Sequence, residues 1–574
     1  MNAAISLHKN DKIRYNVGDW KEGTITGRGK VTGRYKNWFN VVPDDGSEPL
    51  SVNLEEIQYE VVSENPPVDQ VHMVMVPRGE HNSEECKKAK EAELIKLMDF
   101  DTYKVVEDQG QERISTTWVI SKKGEEVRAR LVARGYEEEE DIQSDSPTLS
   151  KAGLRVITTV AASKEWTIET TDIKSAFLQG SKLERKVYIK PPKEAKVTNK
   201  LWELTKALYG WKDASRQWFF KVREKLTKLG CQQSKLDPEL FYKYNQNRKI
   251  SGIIGLHVDD FFHAGDQTFN SSVIQEINTE FKVGKNEKQN FVYTGFVFNQ
   301  DQDGIRVDQN SYAENVEIKP VSSSRAKDKH AELSEEESTS LRQMAGTLNW
   351  IVRGSRPDLS FELIDVSTKF KAGKVEDLVK VTKLLLMVKE KKAEVFFPNL
   401  GDHKHWKLLC YTNASLGNLN NGTDSTGGYL VFLVNGNSGN AAILDWQANK
   451  IKRVVRSTLA AETLSLCEGL EASIHLNSII EELTGSSVDI HAIIDNKSVV
   501  DAVRSTTTVG DKRLRRDISA IKQMLDVGEV KTVTWVKGDQ QLADVLTKRG
   551  VNGNKLLHAL HTGKIEQEIL HKIN

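Results

Sequence analysis

A chain of 574 residues is too long for one hydrophobic core, which stops growing at roughly 250–300 residues, so three or four domains are expected. With 38% hydrophobic and 28% charged residues the composition is that of a globular protein, and no apolar run approaches the ~18–20 residues of a membrane-spanning helix. Lysine plus arginine balances aspartate plus glutamate at 81 each, so no global positive field announces nucleic acid and local segments must carry that argument.

Residues 1–10 lack the charged-then-apolar pattern of a secretory signal. Cys86, Cys231, Cys410 and Cys467 are far apart and form no C-x-x-C pair, so neither a disulfide framework nor a thiolate zinc site is implied. The expectation is a reduced, intracellular chain.

In chain order, residues 11–60 alternate β-prone pieces (12–17, 23–25, 31–35 and 38–42) with glycines, and Asp44-Asp45-Gly46 supplies a turn. This predicts a small β-barrel over 1–62. Between Asp11 and Lys36 seven basic residues face three acidic ones and interleave with Trp20, with Trp38 and Phe39 just beyond, a composition suited to nucleic-acid contact and equally to a generic barrel with buried aromatics. Pro66-Pro67 marks a linker over 63–82, and 83–98 has a helical pattern.

From about 102 to 299 strands and helices interleave, predicting a mixed core over 83–304. Helical segments at 335–354 and 361–391 define a region over 305–400. Residues 401–550 read as strand, hairpin, helix, strand, helix, strand, helix, and 551–574 as a helical tail. The basic runs Lys450, Lys452, Arg453, Arg456 and Lys512, Arg513, Arg515, Arg516 read first as solvated faces. His403, His405 and Cys410 have no further ligand pair nearby and read as incidental rather than as a metal site.

Two carboxylate clusters carry chemistry. In Trp166-Thr-Ile-Glu-Thr-Thr-Asp172 a β-prone run ends in an aspartate. In Ile253-Ile-Gly-Leu-His-Val-Asp259-Asp260-Phe-Phe-His263 two apolar strands flank an acidic pair at a hairpin turn. Adjacent aspartates inside an apolar hairpin destabilise each other's ionised form unless a cation compensates, and Mg²⁺ would do so. On these residues alone, a polar turn and a metal site are equally good readings.

The surroundings break the tie. Thr171-Asp-Ile-Lys-Ser-Ala-Phe-Leu-Gln-Gly180 resembles the D-V-K-T-A-F-L-N-G motif of copia-type reverse transcriptases, and His257-Val-Asp-Asp260 resembles their Y-V-D-D motif. Arg128-Ala-Arg-Leu-Val-Ala-Arg-Gly135 is similar to K-A-R-L-V-A-R-G, and Leu208-Tyr-Gly-Trp-Lys-Asp-Ala-Ser-Arg-Gln-Trp218 to L-Y-G-L-K-Q-A-P-R-x-W. The resemblance implies an α+β multidomain chain: a right-hand reverse transcriptase with fingers and palm over 83–304, a helical thumb or connection over 305–400, and an RNase H-like α/β domain over 401–550. The barrel over 1–62 then resembles the C-terminal region of an integrase.

The same resemblance makes Asp172, Asp259 and Asp260 the catalytic, metal-holding carboxylates for two Mg²⁺ ions, or Mn²⁺ in their place. It puts Phe177 where a bulky side chain blocks a ribose 2′-hydroxyl, and makes Arg128 and Arg130 candidates for gripping the triphosphate. Implied partners are an RNA template, a DNA primer and deoxynucleotides, with capsid and integrase of the same element as protein partners. The implied location is cytoplasmic, within a virus-like particle, or nuclear. His257, Asp213 and Ser215 depart from the family's tyrosine, glutamine and proline.

The C-terminal matches are Leu409-Cys-Tyr-Thr-Asn-Ala-Ser415, Ser425-Thr-Gly-Gly-Tyr429, Trp446-Gln-Ala-Asn-Lys450, Arg456-Ser-Thr-Leu-Ala-Ala-Glu462, Ile494-Asp-Asn-Lys-Ser498 and Gln541-Leu-Ala-Asp-Val-Leu-Thr-Lys548. By resemblance the RNase H site is Glu462, Asp495, Asp544 and a fourth position at Asn413. A neutral amide there removes a charged ligand, so impaired or absent cleavage is expected. A complete element would also encode capsid, protease and integrase core, and none is visible in these residues. The leading expectation is therefore an RNA-directed DNA polymerase, and the alternative is a retroelement remnant that binds nucleic acid or a protein without catalysis.

Overall fold

The computed structural model describes five strands between Lys12 and Val62, and residues 74–573 apart from 139–142 and 184. The chain divides into two units, residues 1–75 with 121–126, and residues 76–120 with 127–574.

In the first unit, five antiparallel strands form one sheet in the order Leu50–Asn53, Trp38–Pro43, Trp20–Arg28, Lys12–Asn16 and Tyr59–Val62. The strands expected at 12–17, 23–25 and 38–42 fall on three of these. The strand expected at 31–35, the turn at 44–46 and Pro66-Pro67 lie outside the described residues.

The second unit is a mixed α+β body. Its first long helix, Glu84–Asp99, starts where Ser83 caps it, the serine oxygen accepting from Cys86 N at 3.3 Å. The central sheet has six antiparallel strands in the order Gln232–Gln233, Leu240–Tyr244, Ile250–His257, Asp260–Gly265, Ile168–Ile173 and Val283–Lys288. Strand Ile250–His257 is apolar on both faces because helices Lys151–Ser163 and Ala214–Lys228 contribute to the cores on either side of it. A second sheet of four strands, Asn290–Tyr293, Phe296–Gln300, Gly304–Asp308 and Glu394–Pro398, follows.

Helix Glu335–Gly354 has the predicted bounds, fixed by a capping box in which Ser334 Oγ accepts from Glu337 N and Glu337 accepts from Ser334 N. The helical segment expected over 361–391 is instead two helices, Ser360–Ser367 and Val375–Glu390. The break spans 368–374, where the Gly373 carbonyl accepts from Leu333 N, and Asp377 starts the second helix by capping Lys374 N at 2.9 Å.

At the C-terminal end five strands run in the order Ala441–Lys450, Asp424–Asn435, Trp406–Leu419, Asp489–Ile494 and Thr532–Trp535. The first three are antiparallel and the last two parallel to Trp406–Leu419 and to each other, with the 27-residue helix Thr458–Thr484 packed against them. One continuous core runs from Ile157, Ile253 and Phe262 of the central sheet region, through Phe298 and Phe397, to Leu409, Leu430 and Ile493. The helices Asn554–Thr562 and Gln567–Ile573 join it through Leu560, Ile569 and Leu570. Among the described residues no helix is long and apolar enough to cross a membrane.

Candidate active site

The central sheet brings the three predicted aspartates to one end of a strand trio. Asp172 is the penultimate residue of the strand Ile168–Ile173 and lies directly opposite Asp260 in the antiparallel pair. His257 also pairs with Asp260, so Val258 and Asp259 alone form the hairpin turn. Val258 holds φ at +59°, a left-handed conformation that is costly for a β-branched residue, and its carbonyl accepts from Trp218 Nε1 at 2.8 Å. The Asp259 carbonyl accepts from Ile173 N at 2.9 Å, tying the turn to the Asp172 strand.

All three carboxyls are half-buried, and all three are held above the ordinary carboxylate range, first by burial. Asp259 adds to the effect on Asp172, and Asp260 is pushed up to about 7 because it also feels both Asp259 and Asp172. Arg128 and Arg130 oppose the shift at Asp172. They lie two apart on strand Glu126–Ala133, on its exposed face, and so present their guanidinium groups on the same side. Among the described residues, no three His, Cys, Asp or Glu side chains stand as a ready metal-holding cluster. The donor set nevertheless suits a hard cation: three oxygen ligands whose mutual repulsion a divalent ion would relieve.

Gly284 is a site residue that pattern reading missed. It lies beside the Asp172 strand at a register irregularity between Asp172 and Ile173, and a Cβ there would stand 2.2 Å from Asp172 Oδ2. A side chain at 284 would displace the carboxylate. Only the tertiary pairing of residues more than a hundred apart reveals this.

Phe177 sits in the short turn Ala176–Gln179, which leaves the Asp172 strand through Ser175 at φ +56°. Its ring meets Tyr209 edge-on, with centroids 5.6 Å apart. Two departures from the family motifs have local accounts. His257 packs its ring against Tyr293, and burial holds it neutral-leaning with a lowered pKa. Buried Asp213 pairs with Arg185 at 3.2 Å and 3.3 Å, and Arg185 also meets Glu138 at 3.1 Å, so the aspartate is a compensated charge. Nothing in the structure explains Ser215.

The second predicted constellation also assembles, with a different chemistry. Asn413 is fully buried on strand Trp406–Leu419, and its Nδ2 donates to Asp544 Oδ1 at 2.7 Å and Asp495 Oδ1 at 3.3 Å. Its Oδ1 accepts from Thr547 Oγ1. Lys548 Nζ reaches Asp544 Oδ1 at 2.6 Å and lies 3.9 Å from Asp495. Glu462, buried on the long helix, is raised to about 8 by burial and by Asp495, and its Oε2 has no hydrogen-bond partner among the described residues. Lys548 belongs to the quoted motif, but its position four residues after Asp544 on one helical turn gave no hint that it neutralises two acids.

The remaining candidates are ordinary. His403 belongs to a short turn beside Asp402, whereas Cys410 is fully buried with its thiol pushed up to about 12. In the basic runs, Lys450 pairs with Asp424 and Arg453 with Asp517.

Residues 100–326 match the family described as reverse transcriptase (RNA-dependent DNA polymerase). The chain is 27% identical over 498 residues to the retrovirus-related Pol polyprotein from transposon TNT 1-94 of Nicotiana tabacum, covering 80% of this chain and 36% of that one. It is 26% identical over 462 residues to the corresponding polyprotein from transposon RE1 of Arabidopsis thaliana, covering 76% and 30%. The chain thus spans about a third of the length of these relatives. Among solved structures, a foamy viral protease-reverse transcriptase in complex with double-stranded DNA aligns with a TM-score of 0.49 at 11% identity, covering 83% of this chain and 74% of that one.

Proposed function

We propose that this chain, related along most of its length to the retrovirus-related Pol polyproteins of copia-type transposons, is an RNA-directed DNA polymerase. In this reading residues 83–304 are its fingers and palm, 305–400 its thumb or connection, and 401–550 an RNase H-like domain. The observation that carries it is the placement of Asp172 opposite Asp260, with Asp259 in the adjoining two-residue turn.

Asp172 and Asp259 would hold two Mg²⁺ or Mn²⁺ ions, with Asp260 the less direct third carboxylate. When bound, the ions supply Lewis-acid activation of a primer 3′-hydroxyl and charge neutralisation of the leaving pyrophosphate. The chain's own residues do the rest. Arg128 and Arg130 present guanidinium forks to the triphosphate, and Phe177 crowds the space of a 2′-hydroxyl so that deoxynucleotides are selected. Trp218, by fixing the Val258 carbonyl, keeps Asp259 at the turn. The partners are an RNA template, a DNA primer and deoxynucleotides.

The test is extension of oligo-dT on poly-rA with Mg²⁺ by the chain and by its Asp259→Asn variant. We expect incorporation by the former and loss of at least ~10³-fold in the latter, since a charged ligand to the reacting centre is removed. Equal incorporation by both would remove the polymerase assignment from this site.

The C-terminal site supports a second reading for that domain alone. A nuclease of this type needs acidic oxygens facing two metals. Here the Asn413 amide points N–H donors at two of the acids, and an N–H cannot ligate a cation. The residues do not fit the metals, so no cleavage step is assigned, and the domain acts as a structural or nucleic-acid-holding module.

A further inference from the structure

Tyr209 stands between the two groups just assigned to the nucleotide, and the polymerase reading gives it no role. Its ring meets Phe177 edge-on at 5.6 Å and 65°. The Arg130 guanidinium carbon lies 5.4 Å from the same ring, and Lys96 Nζ 5.9 Å. Ser175, the left-handed residue that turns the chain from Asp172 toward Phe177, lies near the Tyr209 hydroxyl.

The loop that carries Tyr209 is fastened to the strand that carries Arg130. Ala133 N donates to the Tyr209 carbonyl at 2.8 Å. Gly210 follows at φ +77°, and a Cβ there would stand 2.3 Å from Val132 Cγ1 and 2.4 Å from the Ala133 carbonyl. The loop is thus held close against the strand, which places the Tyr209 ring beside Arg130. An edge-on aromatic contact prefers a definite geometry, and a guanidinium over an aromatic face is held by the ring's negative quadrupole.

We infer that Tyr209 is a positioning residue that sets where Phe177 and Arg130 stand toward an incoming nucleotide, coupling sugar selection to triphosphate grip. This rests on the polymerase reading of the same site. Removing the ring frees Phe177 to retreat and lets Arg130 swing, so the enzyme should accept ribonucleotides more readily and bind every triphosphate less tightly. Removing only the hydroxyl should leave both contacts in place. A residue that merely filled core volume would slow dTTP and UTP incorporation alike and leave their ratio unchanged.

The experiment measures kcat and KM for dTTP and for UTP on poly-rA with oligo-dT, using the full chain and the variants Tyr209→Leu, Tyr209→Phe and Phe177→Ala. For Tyr209→Leu we expect the dTTP-to-UTP ratio of kcat/KM to fall ~10-fold or more, with KM for dTTP raised and its kcat within ~3-fold. Tyr209→Phe should stay within ~3-fold of the parent ratio. A Tyr209→Leu ratio within ~2-fold of the parent, while Phe177→Ala lowers it strongly, overturns the inference and leaves the polymerase reading standing. So does a loss in kcat alone. If Tyr209→Leu does not unfold cooperatively on heating, Tyr209→Met takes its place with the same two readings required. A parent chain that incorporates neither nucleotide overturns the polymerase reading itself, a different result from failure at Tyr209.

Discussion

The guanidinium carbon of Arg155 lies 3.6 Å from the ring centre of Trp446, across 291 positions of sequence. Arg155 is buried in helix Lys151–Ser163, yet its guanidinium group reaches partners on other elements. It donates to the Arg353 and Gly354 carbonyls at the end of helix Glu335–Gly354, to the Leu444 carbonyl, and faces Asp445 at 3.7 Å. Trp446 in turn donates to the Val352 carbonyl at 3.1 Å. One cation thus satisfies the orphan carbonyls of a helix end and joins the central sheet, the helical region and the C-terminal sheet.

Removing that cation should cost more than a surface ion pair, because it leaves buried carbonyls without donors. Arg155→Met is expected to lower unfolding free energy by about 2–4 kcal/mol, the lower part of the range reflecting Asp445's partial exposure. Denaturant titration of the full chain measures it. Because the core is continuous from Ile157 to Ile493, a chain ending near residue 400 should expose apolar surface and lose cooperative unfolding. A stable, cooperatively folding 76–400 fragment would contradict the shared core.

Gly284 tests whether Asp172 needs its observed place. With a Cβ 2.2 Å from Asp172 Oδ2, Gly284→Ala must push the carboxylate aside, because the neighbouring backbone is held in sheet pairing. We expect primer extension to fall ~100-fold, in line with the effect of a misplacement of about 1 Å at a reacting centre, and the thermal midpoint to move little. Unchanged extension by a folded Gly284→Ala chain would show that this carboxylate position is dispensable.

The parts of this architecture that were legible in sequence are those with local causes. Ser334 and Glu337 announce a helix start three residues apart, and Ser83 does the same for Glu84–Asp99. The aspartates were legible because each sits in a run of side chains with recognisable order. Gly284, Tyr209 and Arg155 were not, since each acts on groups made near only by tertiary pairing, and the same holds for the approach of Lys548 to Asp495. The split of 361–391 was missed because the apolar pattern continues through Gly373, while the segment 368–374 between the two helices is tied to Leu333.

Asn413→Asp should reverse the chemistry of the C-terminal site. The substitution removes the amide donors now facing Asp495 and Asp544, and it adds a fourth carboxylate. Without metal the variant should be less stable than the parent through repulsion. With Mn²⁺ at 10–100 times its Kd it should recover about 1.4–2.7 kcal/mol, seen as a metal-dependent rise in thermal midpoint that the same substitution accompanied by Asp544→Asn lacks. Hydrolysis of the RNA strand of a hybrid should appear with it. If the single variant shows neither, Asn413 is not what distinguishes this site from a metal-holding one.

His263 supplies a pH dependence of stability. It is completely buried on the strand Asp260–Gly265, with Nε2 3.1 Å from Thr171 Oγ1 and Nδ1 without a partner among the described residues. Burial, helped by the charge of Lys288, pushes its pKa down to about 3. Above the unfolded value of about 6.5 the ring is neutral in both states and contributes nothing to the pH dependence. As pH falls below that value the unfolded chain takes up a proton that the folded chain refuses until about 3, so stability declines with falling pH. One such group costs about 1.4 kcal/mol at pH 5.5 relative to pH 7.5. Denaturant titrations of the parent and of His263→Gln at both pH values isolate it, because His491, lowered to about 4, titrates in both chains and cancels. The variant should lose stability less steeply by about that amount. Identical slopes would mean that His263 is protonated, or reaches solvent, in the folded chain.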